Sequence, residues 1–243
     1  MQKNIKLKIE YDGTNFSGWQ IQPKKRTVQE EIEKKLEKIL GSKTKLIGAG
    51  RTDAGVHALG QVANFKTTSK LKTDEIKNAL NSLLPDDIVI KHIKEVDLNF
   101  DARYSAKSKV YQYRIYLCKT ALHKNYVWEV EYNLKIKKMR EATEMIIGEH
   151  DFSAFCVAKS SKENNYCKVI KALWKKTKKE LLFEIEADRF LHSMVRTLVG
   201  TLVDVGRGYF NISDFKKILE SKDRKKAGMN APAKGLCLVR INY

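Results

Sequence analysis

The chain is short of most residues that build metal centres or disulfide frameworks. Its four cysteines, Cys118, Cys156, Cys167 and Cys237, are scattered and form no Cys-x-x-Cys pair, so neither a zinc site nor a disulfide scaffold is indicated. Five histidines, His57, His92, His123, His150 and His192, fall in no metal-ligand spacing. With three prolines and no Pro-, Ser- or Gly-rich stretch among 243 residues, no linker stands out. The length suits one large domain or two small ones sharing a core. The longest apolar run is far short of the ~20 residues that span a bilayer. The N-terminus alternates charged with aliphatic residues, unlike the apolar core of a signal peptide. A cytoplasmic, reduced, metal-free protein is expected. Acidic residues are scarce too: 29 against 47 basic ones, a formal charge of +18. An excess of that size attracts polyanions, and nucleic acid is the default partner.

What is present reads as alternating strands and helices. Ile5, Leu7, Ile9 and Tyr11 alternate with Lys6, Lys8 and Glu10, a half-buried strand. Thr27-Val28-Gln29-Glu30 has the form of a capping box, and Val28, Ile32, Leu36 and Ile39 follow at helical spacing. Strands are predicted near 44–50 and 61–67, a helix near 73–84 and a strand near 88–95. A related rhythm follows: a strand over 109–117, a helix over 137–147, strands near 168–177 and 181–187. A strongly apolar helix is predicted over 191–203, then a short helix near 213–221 and a closing strand near 236–243. Such a pattern suggests an α+β fold with a mainly antiparallel sheet and helices on one face. It divides into an N-terminal half, 1–101, and a C-terminal half, 102–243.

The segment Gly48-Ala49-Gly50-Arg51-Thr52-Asp53-Ala54-Gly55-Val56-His57-Ala58 places one carboxylate in a glycine-bracketed turn between two apolar runs. A loop held by sheet on both sides is where a rigid scaffold presents chemistry, and Asp53 is its candidate nucleophile or general base. On composition alone Asp-Ala-Gly is ordinary turn chemistry. Gly50 and Gly55 have the spacing of a phosphate loop, but Val56-His57 stands where Lys-Ser/Thr is required, which argues against nucleotide binding.

The wording of the whole segment resembles the central motif of the TruA-type tRNA pseudouridine synthases. Other segments resemble that family in the same order: Glu10-Tyr11-Asp12-Gly13-Thr14, Gly18-Trp19-Gln20, Thr27-Val28-Gln29, Phe100-Asp101-Ala102-Arg103-Tyr104, Lys109-Val110-Tyr111-Gln112-Tyr113, Gly148-Glu149-His150-Asp151-Phe152, Phe190-Leu191-His192-Ser193-Met194-Val195-Arg196 and Ala231-Pro232-Ala233-Lys234-Gly235-Leu236. The resemblance implies two RRM-like (ferredoxin-like) halves joined into one extended sheet with a central cleft. It also implies isomerisation of uridine to pseudouridine at positions 38 to 40 of the tRNA anticodon stem-loop, by a homodimer without a cofactor, a metal or a membrane.

By the same resemblance Asp53 is the catalytic carboxylate, Tyr111 the active-site tyrosine and Arg51 the base-flipping arginine, and Arg196 is the counterion expected beside Asp53. From the residues alone, Tyr111 is a strand tyrosine and Arg196 an arginine at the rim of an apolar helix face. The clusters Lys24-Lys25-Arg26, Lys107-Ser108-Lys109 and Arg224-Lys225-Lys226 are candidate phosphate contacts. Two other classes fit the residues: a non-catalytic RNA-binding module, and a carboxylate-dependent hydrolase of RNA.

Overall fold

The computed structural model describes residues 1–157 and 164–243. In chain order the elements are β1 (Lys3–Tyr11), α1 (Val28–Leu40), β2 (Ile47–Gly48), β3 (His57–Thr67), α2 (Thr73–Leu83), β4 (Ile88–Val96), β5 (Ser108–Tyr116), β6 (Trp128–Glu129), α3 (Ile136–Glu144), β7 (Gly148–Asp151), β8 (Tyr166–Lys176), β9 (Glu180–Ala187), α4 (Met194–Arg207), α5 (Ile212–Ser221) and β10 (Leu236–Asn242). The fold is α+β with mainly antiparallel strand pairs, as the hydrophobic pattern indicates. Two compact units form, one of Met1–Lys107 with Cys237–Tyr243 and the other of Ser108–Leu236. The sequence pattern suggested a boundary at 101/102; residues 102–107 and the closing strand lie with the first unit.

In the first unit the strands run β4-β1-β3-β10, with β2 also paired to β3. The β1-α1-β2-β3-α2-β4 run, with β1 between β3 and β4, is the split β-α-β arrangement of ferredoxin-like domains. Strand alternation puts Ile5, Leu7 and Ile9 on one face with Ala63, Phe65 and Ile90, where Val28, Ile32 and Leu36 of α1 and Ile76 and Leu80 of α2 are also buried. Burying one such aliphatic side chain contributes about 1.5–3 kcal/mol. The opposite face carries Lys6, Lys8 and Lys94.

The second unit has the order β5-β9-β8-β7, with β6 parallel to β5. Its β5-α3-β8-β9-α4 run repeats the β1-α1-β2-β3-α2 run of the first unit in chain order and sheet order. The duplication expected from rhythm is thus visible as topology. Its core holds Tyr113, Ile115, Trp174, Phe183 and Ile185 together with Met139, Leu198 and Leu202. The Trp174 indole N–H donates to Thr143 Oγ1 at 2.9 Å, so the buried ring leaves no polar group unpaired.

Three local expectations need correction. The capping box at Thr27 is not closed: Thr27 Oγ1 is buried and makes no hydrogen bond. The first helical N–H groups, of Val28 and Gln29, donate instead to the carbonyls of Gly18 and Trp19, while Glu30 pairs with Lys34 at 3.1 Å. A tertiary segment has taken over the role of the cap. The apolar helix starts at Met194, not 191, because Ser193 sits in the left-handed region at φ 60°, so His192 lies outside it. That helix also runs past 203, through Gly206, which packs on Met139, to Gly208 at φ 85°. The short strands β6 and β7 had no signal in the alternation.

Candidate functional site

The Asp53 loop leaves β2 and enters β3, and neighbouring backbone fixes nearly every residue in it. Ala49 N–H donates to Val62 O at 2.8 Å, and Gln61 Nε2 donates to Gly50 O at 2.8 Å. Thr52 is held from two sides. Its carbonyl accepts the Trp19 N–H at 3.1 Å, and its Oγ1 lies 2.7 Å from the Tyr11 hydroxyl. Val56 N–H donates to Asp53 O across a turn whose third residue, Gly55, has φ 76°. A residue there with a Cβ would be strained.

Close approach by the preceding segment explains two further glycines. Gly18, at φ 96°, lies so near that a Cβ would come 2.5 Å from Thr52 O. A Cβ on Gly13 would collide with the Val56 carbonyl. The Gly13 N–H donates to His57 Nδ1 at 3.1 Å, and His57 is nearly buried. Asp53 itself is half-buried and Arg51 exposed. The loop therefore presents a carboxylate and a guanidinium two residues apart from a backbone with little freedom to move, the preorganisation that catalytic groups need.

The second unit places Tyr111 on β5, buried, its ring meeting Phe190 edge-on at 5.1 Å. Arg196 lies in the first turn of α4. Its Nε donates to Ala231 O at 2.8 Å and its own carbonyl accepts the Ala231 N–H at 3.0 Å. The next carbonyl, of Pro232, accepts the Tyr113 hydroxyl at 2.7 Å. Burial pushes the Tyr113 phenol up, against the opposing charge of Arg196, and burial likewise pushes Tyr11 up. Both hydroxyls stay neutral at physiological pH. The Ala231-Pro232 segment, quoted above only as a motif, thus orients Arg196 and Tyr113 through backbone carbonyls. No side-chain pattern could reveal that.

Two of the basic clusters are occupied structurally. Arg26 forms a two-pronged pair with Asp87 at 2.7 and 2.9 Å and lies over the Phe16 ring. Arg224 donates to Gly228 O at 3.0 Å and to Asn230 Oδ1 at 3.3 Å, closing its own loop. Neither guanidinium is available as a simple phosphate contact.

Likeness to known proteins gives the class: a pseudouridine synthase, an enzyme that modifies RNA. The chain matches the family model described as tRNA pseudouridine synthase over residues 8–105 and 142–243. It is 47% identical over 243 residues to tRNA pseudouridine synthase A of Thermoanaerobacter sp. (strain X514), covering 99% of this chain and 100% of that one. It is 48% identical, with the same coverage, to the protein of that name from Caldicellulosiruptor saccharolyticus. Among solved structures, a Cbf5-Nop10-Gar1 complex aligns with 96% of this chain and 57% of its own at 14% identity, with a TM-score of 0.39, too distant to bear on the site. The chain belongs to the tRNA pseudouridine synthase family, isomerases that act on uridine in tRNA. No helix among the described residues is long and apolar enough to cross a membrane.

Proposed function

We propose that this enzyme converts uridines at positions 38 to 40 of the tRNA anticodon stem-loop to pseudouridine, with Asp53 as the catalytic carboxylate. The reaction breaks the bond between N1 and C1′, turns the uracil and joins C1′ to C5. The proton lost from C5 balances the one gained at N1, so no atom enters or leaves and no cofactor is required. A carboxylate can split such a displacement into two easier steps by covalent catalysis. Attack at C1′, attack at C6 and assistance to a glycal route all require an ionised Asp53.

Arg51 eases the uridine out of the stacked stem, which costs about a few kcal/mol. Tyr111 contacts the extracted uracil, and Arg196 supplies positive charge to the reacting nucleotide. The reading includes a homodimer in the cytoplasm. The single observation that supports it most is the Asp53 turn, held by Tyr11, Trp19, Gln61 and Gly18. Such constraint around a half-buried loop carboxylate exceeds what a simple turn requires.

The test is tritium release from tRNA labelled at C5 of uridine, with mapping of the modified positions. Wild-type protein should release tritium without shortening the RNA, and Asp53→Asn should bind tRNA and release none. Turnover by Asp53→Asn removes the carboxylate from the mechanism. Chain cleavage would make the protein a hydrolase, and binding without release a non-catalytic module.

A further inference from the structure

The helix-free face of the first unit's sheet carries a charge arrangement that the uridine chemistry does not use. Lys6 and Lys94 are directly opposite on β1 and β4, and Lys8 is directly opposite His92. Like charges across a strand pair destabilise it. With Arg240 of β10 they line a groove of about 400 Å³ whose floor is Gly60 and Val62 of β3. Among the described residues none of Lys6, Lys8, Lys94 and Arg240 pairs with a carboxylate; the nearby Glu10 is taken by Lys91 at 3.4 Å.

Lys6 is the most constrained of the four. Its Nζ stands 3.6 Å from the centre of the Tyr243 ring and 4.8 Å from that of Phe100. Burial and then the neighbouring Lys94 lower its pKa. An anion in the groove relieves both effects. Several cations in one concave strip match the repeat of a polyanion better than a single small ion.

This groove is separate from the Asp53 loop. Tyr11 and Gln61, which hold Thr52 and Gly50, continue the buried alternation of Ile5, Leu7, Ile9 and of Ala63, Phe65, so they reach the loop from the helix-covered face. The lysines project from the other. We propose that the Lys6–Lys94–Arg240 groove binds the phosphodiester backbone of the substrate tRNA outside the anticodon stem-loop. The proposal rests on the stem-loop being the modified region.

The experiment compares wild-type protein with the triple variant Lys6→Gln, Lys94→Gln, Arg240→Gln, using full-length tRNA and an isolated anticodon stem-loop in filter binding over a salt series. The expected result is a loss of at least about tenfold in affinity for full-length tRNA at low salt, and a salt slope smaller by about two to three. Stem-loop affinity and kcat should stay unchanged. Thermal stability should change little, since relief of the Lys6–Lys94 repulsion offsets loss of the Lys6 contacts with the Tyr243 and Phe100 rings. An unchanged slope, or equal losses for both RNAs, overturns the proposal. So does a change in sedimentation of the RNA-free protein, which would make the face a contact with a second copy. If the double variant Lys8→Gln, Arg240→Gln, at exposed positions, also leaves the slope unchanged, the proposal fails without any question of folding. Binding is read independently of tritium release, so failure of the modification assay and failure of the groove are distinguishable.

Discussion

The Tyr11 hydroxyl and Thr52 Oγ1 meet at 2.7 Å between two buried side chains, one residue before Asp53. Tyr11 belongs to the sheet core and Thr52 to the loop, so this contact transmits the position of β1 to Asp53. Tyr11→Phe keeps the ring and leaves the Thr52 hydroxyl short of that partner, at a stability cost of about 1–3 kcal/mol. A displaced Asp53 should lower kcat by roughly ten- to hundredfold with little change in tRNA affinity. Single-turnover rates and melting curves separate the two effects. A kcat equal to wild type would show that the contact is only packing.

Buried phenols make the protein sensitive to alkali. Burial raises the pKa values of Tyr11, Tyr113 and Tyr243 above the ordinary 10.0, and the Cys167 thiol is pushed up to about 12 from 9.0. In each case the folded state holds its proton more tightly than the unfolded chain. The stability they contribute is fully present below pH 9 and falls as pH rises through 9 for the thiol and 10 for the phenols. It continues to fall up to the folded values. Melting temperature should therefore decline from about pH 9 and more steeply above 10. Tyr243→Phe, which loses only the bond to Ala102 O at 2.9 Å, should flatten the upper part of that decline.

Much of this was legible in the chain, and the failures have definite causes. The alternation of Ile5, Leu7 and Ile9 and the stripe from Met194 to Val203 located their elements, because burial on one face imposes a period that no other arrangement satisfies. The Asp53 turn was visible through Gly55. Its rigidity was not, since it depends on residues more than thirty positions away: Trp19 N–H donates to Thr52 O, Phe16 O accepts from Gly55 N–H, and Gly18 packs against the Thr52 carbonyl. Ser193 at positive φ and the idle Thr27 hydroxyl broke local rules because tertiary partners overrode them. Arg26 read as one of a basic triplet, and only the fold brings Asp87 to it.

That pair separates structural from RNA-binding charge. Arg26→Ala removes a two-pronged bond to Asp87 that is about one-third exposed on the arginine side. Its stability cost should be about 1 kcal/mol, discounted from the value of a buried pair for solvent screening. The tRNA salt slope should not change. Lys24→Ala with Lys25→Ala should do the reverse and lower the slope without moving the melting temperature. Equal slopes for both variants would remove this triplet from the RNA interface.

Arg196 gives the sharpest test of the second unit's role. Its Nε is already held by Ala231 O, which fixes the orientation of the guanidinium plane before any substrate arrives. Arg196→Lys retains the charge but loses that fork geometry, while Arg196→Met loses both. If charge alone matters, the lysine variant should recover most of the kcat that methionine abolishes. If the orientation set by Ala231 matters, both should lose roughly a hundredfold or more, in the range seen when a preorganised charge-stabilising group is removed, and tRNA affinity should fall far less. The pH–rate profile adds a readout that packing cannot mimic. If Arg196 acts as the proposed counterion of Asp53, losing its charge should shift the acidic limb upward in Arg196→Met and not in Arg196→Lys, and identical limbs in all three proteins would place Arg196 outside the electrostatics of catalysis.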